Sequence, residues 1–193
     1  PTTGCPFTPQ IVLGGLTTIA SGVVASAADA YVLTQSSEQL DGGTVLGTVQ
    51  ACPLGGCLSP PQILADQLHE PGFAAVDTTA VYWTDIGPNK FANSGGVLSV
   101  PLTASDGAST IVASNTNPIR IAVDATYVYF ANTGTLQNDY ADGSIDYCPK
   151  SGCLGEPTHL VQNVPFPDGL ATDEEFVYFS VGLNGTIEKV AKP

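Results

Sequence analysis

A chain of 193 residues with 43% hydrophobic side chains can bury a substantial core and is too apolar to be disordered. Five Lys and Arg against 18 Asp and Glu give a net charge of −13; with no basic patch, nucleic acid and anionic membrane surfaces are excluded as partners. The apolar stretch from Ile19 to Thr34 is small-residue rich and broken by Asp29, so it reads neither as a membrane span nor as a signal peptide.

In chain order, the first expected element is a lone strand over Gln10 to Leu13. Then comes a block that recurs: Ser21-Gly-Val-Val-Ala-Ser-Ala27 with Tyr31-Val32-Leu33-Thr34 is its weakest copy, with Ala27 at the place of a repeated Asp. The clear copies are Pro71-Gly-Phe-Ala-Ala-Val-Asp77 with Val81-Tyr82-Trp83-Thr84, Pro118-Ile-Arg-Ile-Ala-Val-Asp124 with Val128-Tyr129-Phe130-Ala131, and Pro167-Asp-Gly-Leu-Ala-Thr-Asp173 with Val177-Tyr178-Phe179-Ser180. Their prolines lie 47 residues (71 to 118) and 49 residues (118 to 167) apart, the period of a propeller blade.

Each copy resolves into short β-branched and aromatic strands separated by Gly, Asn, Asp and Pro. The second copy predicts strands at Phe73 to Val76, Val81 to Thr84, Val97 to Val100 and Thr110 to Ala113. The third predicts Ile119 to Val123, Tyr127 to Ala131, Ser144 to Cys148 and Thr158 to Val161. The fourth stops after its third strand, Thr186 to Val190. The expected fold is all-β, a β-propeller of four-stranded antiparallel blades, as one domain or propeller fragment over residues 1–193. Its repeats fall at about 21–66, 71–114, 118–163 and 167–193. Residues 1–14 carry the last strand of either a preceding blade or the closing one. Closing makes a four-bladed ring; the preferred reading is a window on a longer propeller, and an association of chains also covers open ends.

Cys52-Pro-Leu-Gly-Gly-Cys57 and Cys148-Pro-Lys-Ser-Gly-Cys153 share the pattern C-P-x-x-G-C, which puts both cysteines across a hairpin at disulfide distance. The opening Pro1-Thr-Thr-Gly-Cys5 is that pattern short of its first cysteine, so Cys5 is expected to pair with a residue upstream of the chain. The absence of Met points the same way, to a segment ahead of Pro1. Neither His69 nor His159 has a ligand spacing with these pairs, so zinc is set aside. Persistent disulfides imply a secreted, periplasmic or cell-surface protein, with a lipid anchor ahead of Pro1 as a further option.

Tyr82-Trp83-Thr84-Asp85 reads YWTD, and Tyr129-Phe130-Ala131-Asn132 and Tyr178-Phe179-Ser180-Val181 are drifted echoes. The chain resembles YWTD-type or NHL-type propeller repeats. Together with C-P-x-x-G-C it resembles repeats in secreted or lipoprotein-type proteins of myxobacteria and their relatives. The resemblance implies a ring of about six blades and a bacterial protein; it names no activity.

Asp77, Asp124 and Asp173 are read as turn caps and the repeated aromatics as blade packing. Propeller geometry sorts the loops, putting the disulfide hairpins on one face and the two long inserts, 85–95 and 132–142, on the other. Candidate ligand contacts on the insert face are Phe91, Asn93, Asn138, Asp139, Tyr140 and Asp142. Arg120 and Asp168 stand at the mouth of the central channel, with His69 and Glu70 on the same face, where a charged pair could orient a small polar ligand or form an ordinary ion pair. Asp85, Asp139 and Asp142 could hold Ca²⁺ if the loops converged, but no calcium-loop motif is present, and no cofactor is expected. No catalytic motif appears. The expected function is an extracytoplasmic scaffold binding a protein or glycan through the insert face. The alternatives are a structural subunit of an extracellular self-assembly, and a hydrolase or lyase with its site in blades outside this sequence.

Overall fold

The computed structural model describes residues 11–14, 16, 19–35, 46–57, 60–87, 94–153 and 156–193. Cys5, Phe91 and Asn93 lie outside them. Valine, tyrosine and isoleucine alternate with small residues along short segments that end at Gly, Asp or Pro, and each segment pairs with its neighbour in sequence. Strands β1 (Ile19–Ala25), β2 (Asp29–Gln35), β3 (Gly47–Pro53) and β4 (Gln62–Leu68) make blade 1. Blade 2 is β5 (Pro71–Val76), β6 (Ala80–Asp85), β7 (Gly95–Pro101) and β8 (Thr110–Thr116). Blade 3 is β9 (Pro118–Val123), β10 (Tyr127–Asn132), β11 (Gly143–Pro149) and β12 (Thr158–Val164). Blade 4 has three strands among the described residues, β13 (Pro167–Thr172), β14 (Phe176–Val181) and β15 (Thr186–Ala191). All strand pairings within the blades are antiparallel, and the first strands β1, β5, β9 and β13 lie side by side in order. Four sheets radiating from a row of inner strands are propeller blades, as the repeats required.

Two details differ from the sequence reading. The fourth strands run longer than their apolar segments, β12 reaching Val164 instead of Val161, because bulges opposite β11 and a positive φ at Asn163 carry the ladder past the pattern break. The first copy is also one residue out of register. Tyr31 pairs across to Ala51 as Tyr82 does to Ser99, which puts Ser26, not Ala27, at the place of the repeated Asp. Its hydroxyl accepts from the Ala28 and Asp29 amides at 3.2 and 3.1 Å, doing the work of the carboxylate.

The core lies between blades. In each second strand the tyrosine faces the following blade and the next aromatic faces the preceding one. Tyr31 and Leu33 thus meet Val81 and Trp83 between blades 1 and 2, Tyr82 meets Val128 and Phe130 between blades 2 and 3, and Tyr129 meets Val177 and Phe179 between blades 3 and 4. The disulfides Cys52–Cys57 and Cys148–Cys153 form, with Cα–Cα distances of 5.1 and 5.3 Å. Each hairpin leans on the blade before it: the Cys153 amide donates to Val112 O of β8, and the Cys57 amide donates to Val12 O in the same way. Residues 11–13 therefore stand against blade 1 where a preceding fourth strand would. Among the described residues β15 pairs only with β14.

The joints between blades 2 and 3 and between blades 3 and 4 are also clamped electrostatically. Asp77 Oδ1 accepts from the Thr79 and Ala80 amides at 2.6 and 2.9 Å, and Oδ2 takes the Tyr82 hydroxyl at 3.3 Å and the Lys150 ammonium of the next blade at 2.7 Å. Asp124 repeats the arrangement with Thr126, Tyr127, Tyr129 and, from blade 4, Lys192 at 2.8 Å. Burial opposes both charges, but the lysines and turn amides outweigh it, holding Asp77 well below the usual carboxylate range and Asp124 at about 2.

Candidate functional site

The second insert is ordered by its own last residue. Gly134, at φ +85, turns the chain out of β10 where a side chain would strike Asp142. Asp142 then accepts from the Thr135 amide and hydroxyl, both at 2.7 Å, and from Asn138 Nδ2 at 2.6 Å. Burial is the largest single influence and opposes the charge, but these bonds together outweigh it and lower its pKa, so the loop is closed around a carboxylate. A 3-10 turn over Leu136–Asn138 leads to Asp139 and Tyr140, both with positive φ. The Tyr140 ring meets Phe166 edge to face at 5.5 Å, and the Phe166 amide donates to Tyr140 O at 3.0 Å. With Ile86 and Ile119 these rings line a cavity of about 230 Å³. Thus Asn138 and Asp142 build the loop, while Tyr140 faces a pocket.

Arg120 and Asp168 do meet, at 2.5 Å between Nη2 and Oδ1. The guanidinium also donates to Ile119 O at 2.7 Å and stacks 3.8 Å over Phe73. Contacts to β5 and β13 from a residue of β9 make it a bridge across three inner strands. Asp85 is occupied too, accepting from the Gly87 and His69 amides at 2.8 and 3.2 Å. Among the described residues no group of three or more His, Cys, Asp and Glu side chains is placed to hold a metal.

The arrangement that sequence reasoning missed lies beside the insert, between blades 2 and 3. Asp146, its side chain 2% exposed, holds His159 Nδ1 at 2.7 Å through Oδ1 and accepts from Asn132 Nδ2 at 2.5 Å through Oδ2. Burial is the largest influence on Asp146 and raises its pKa despite these partners. Together with Thr116, Ser144 and Glu156 they line a polar cavity of about 240 Å³. The buried Thr116 hydroxyl there has no hydrogen-bond partner among the described residues. The equivalent cavity between blades 1 and 2, about 620 Å³, carries Leu98 and Ile111 at the places of Asp146 and His159. The same places hold Gln50 and Ile63 in blade 1 and Glu188 on the third strand of blade 4, so among the described residues only blade 3 sets an acid opposite an imidazole. Setting the blades strand on strand shows this departure; the two residues viewed separately are ordinary strand polar residues.

No protein-family model matches the chain, and no curated protein sequence matches it. Solved structures do. The crystal structure of the computationally designed Ika4 protein matches 96% of this chain and 100% of its own, at 13% identity and a TM-score of 0.63. The fold is that of a β-propeller. A chain of the nidogen/laminin complex covers 91% of this propeller at 16% identity and TM-score 0.58, with 66% of that chain matched. The designed Ika8 protein covers 93% at 13% identity and TM-score 0.58, and there the match spans 48% of the designed chain.

Proposed function

We propose that this propeller is an extracytoplasmic binding scaffold that holds a protein or glycan partner on its insert-bearing face. A propeller of this kind suits a binding scaffold in general, and a chain of similar fold occurs in the nidogen/laminin complex. The observation that carries the reading is the polar cavity between blades 2 and 3, where buried Asp146 holds a half-exposed His159 and the Thr116 hydroxyl has no partner among the described residues, beside a self-closed insert. The cavity residues include carboxylates, amides, hydroxyls and an imidazole but neither lysine nor arginine, so it suits a neutral or cationic hydroxyl- or amide-bearing group and repels anions.

The two disulfides support placement outside the cytoplasm. The YWTD/NHL-like and bacterial lineage belongs to the same proposal, as do the boundaries of the repeats and a single propeller domain over residues 1–193. The test is a glycan and peptide array probed with the chain and with a variant whose residues 132–142 are replaced by the short turn Gly182-Leu-Asn-Gly185. The expected result is a signal from the chain that the variant loses; equal signals from both overturn the proposal.

A further inference from the structure

Two cavities on the insert-bearing face share a wall. The aromatic cavity under Tyr140 and Phe166 and the polar cavity beside Asp146 are both lined by Asn117, Gly134 and Thr135. The polar groups of that wall are taken up by one another and by the insert. Asn132 Oδ1 accepts from the Asn117 amide at 3.1 Å, Asn117 Nδ2 donates to the Thr133 hydroxyl at 3.2 Å, and the Thr135 amide and hydroxyl both go to Asp142 at 2.7 Å. The wall therefore divides two compartments of opposite character and makes no strong demand on a ligand in either.

On one side the surface offered to a ligand is apolar apart from the exposed Gln137: Ile86, Ile119, Leu136 and the two rings. This platform is fixed before anything binds, because Phe166 donates its amide to Tyr140 O at 3.0 Å and its carbonyl accepts the Gly182 amide at 2.9 Å, with Tyr140 and Phe166 both held at positive φ. On the other side the groups are acceptors. Asp146 takes His159 Nδ1, which leaves Nε2 of the neutral ring to accept, and Glu156 adds a carboxylate. The Thr116 hydroxyl, in a residue 5% exposed, has no partner among the described residues. Neither lining includes a lysine or arginine, and the chain as a whole carries −13.

We infer that this face takes a peptide segment whose apolar side chain enters the aromatic cavity while a neighbouring lysine or arginine reaches the polar one. The inference rests on the insert-bearing face being the binding face, and it chooses between the two partner classes proposed for it. At about 230 and 240 Å³, each cavity is of side-chain size. A sugar ring set against Ile86, Ile119 and Leu136 gives up the water around its hydroxyls without replacement, whereas a leucine or phenylalanine side chain gains from the same burial. An ammonium or guanidinium finds acceptors in the polar cavity; a carboxylate or phosphate meets Asp146 and Glu156, of its own sign.

Fluorescein-labelled decapeptides of glycine and serine, carrying leucine and lysine one, two or three residues apart, test this by fluorescence polarisation with the native protein. Companion peptides replace the lysine by glutamate or the leucine by serine. At least one spacing should bind, and either replacement should weaken it about tenfold or more. Glu156→Gln should weaken the leucine–lysine peptide without affecting the companion that lacks lysine, and Leu136→Ser should weaken it without affecting the companion that lacks leucine. Both residues are exposed, so neither change threatens the fold. Glutamate peptides that bind as well as lysine peptides overturn the inference, as does the absence of binding at every spacing. A glycan bound by the chain and lost when residues 132–142 are replaced, with no peptide bound, overturns it and leaves the binding face standing. Peptides that bind the loop-replaced variant equally well overturn both.

Discussion

Trp83 shows how a single side chain fits this scaffold. It is fully buried between blades 1 and 2, its indole nitrogen has no partner among the described residues, and phenylalanine stands at its place in blades 3 and 4. Trp83→Phe should thus cost less than about 1.5 kcal/mol, because it keeps most of the apolar volume and removes an unpaired donor. Trp83→Ala opens a cavity and should cost about 3–5 kcal/mol in urea unfolding. Asp146 and His159 obey the opposite logic. Replacing both with the blade-2 pair, Asp146→Leu with His159→Ile, should leave the protein as stable or raise its stability by about 1–4 kcal/mol, since a buried acid gives way to apolar packing. A loss of stability in the same assay would show that the pair holds the joint together.

At the scale of the element, the unit is the joint and not the blade. Lys150→Leu alone leaves the Asp77 charge without its counter-ion and should cost on the order of 1–2 kcal/mol. Adding Asp77→Ser reproduces the joint between blades 1 and 2, where Ser26 caps the turn and Leu102 packs against the apolar cluster, and should recover most of that loss; a double mutant as weak as the sum of its singles would show that Asp77 and Lys150 do not act as a pair. The clamps also set the acid limit. Carboxyls held low in the folded state contribute stability that is present above the unfolded value near pH 4 and lost as pH falls toward 2, where Asp124 and Asp173 protonate. Unfolding followed by circular dichroism should set in across that interval and shift to higher pH in Lys192→Leu. Asp146 works in reverse: its raised carboxyl costs nothing at acid pH and more as pH rises.

At the scale of the molecule, the repeated Val-Tyr-aromatic segments made the blades legible, because alternate side chains must face the two neighbouring blades. The turn role of Asp77, Asp124 and Asp173 was legible from their place before the second strand. Their lysine partners were not, since Lys150 and Lys192 reach across to a different blade. The candidate site was legible only as a face. Loop length pointed to Tyr140, whose ring lines a cavity, and to Asn138 and Asp142, which also fasten the loop; the channel mouth pointed to Arg120 and Asp168, which bridge inner strands. The Asp146–His159 contact was not legible because the two residues lie 13 apart on neighbouring strands and meet only through the β11–β12 register. The measurement that bears most directly on this account is the affinity of the array's best ligand for the chain and for the Asp146→Leu, His159→Ile variant, by titration calorimetry. The account predicts at least a tenfold loss in a variant that still unfolds cooperatively; equal affinity would contradict it.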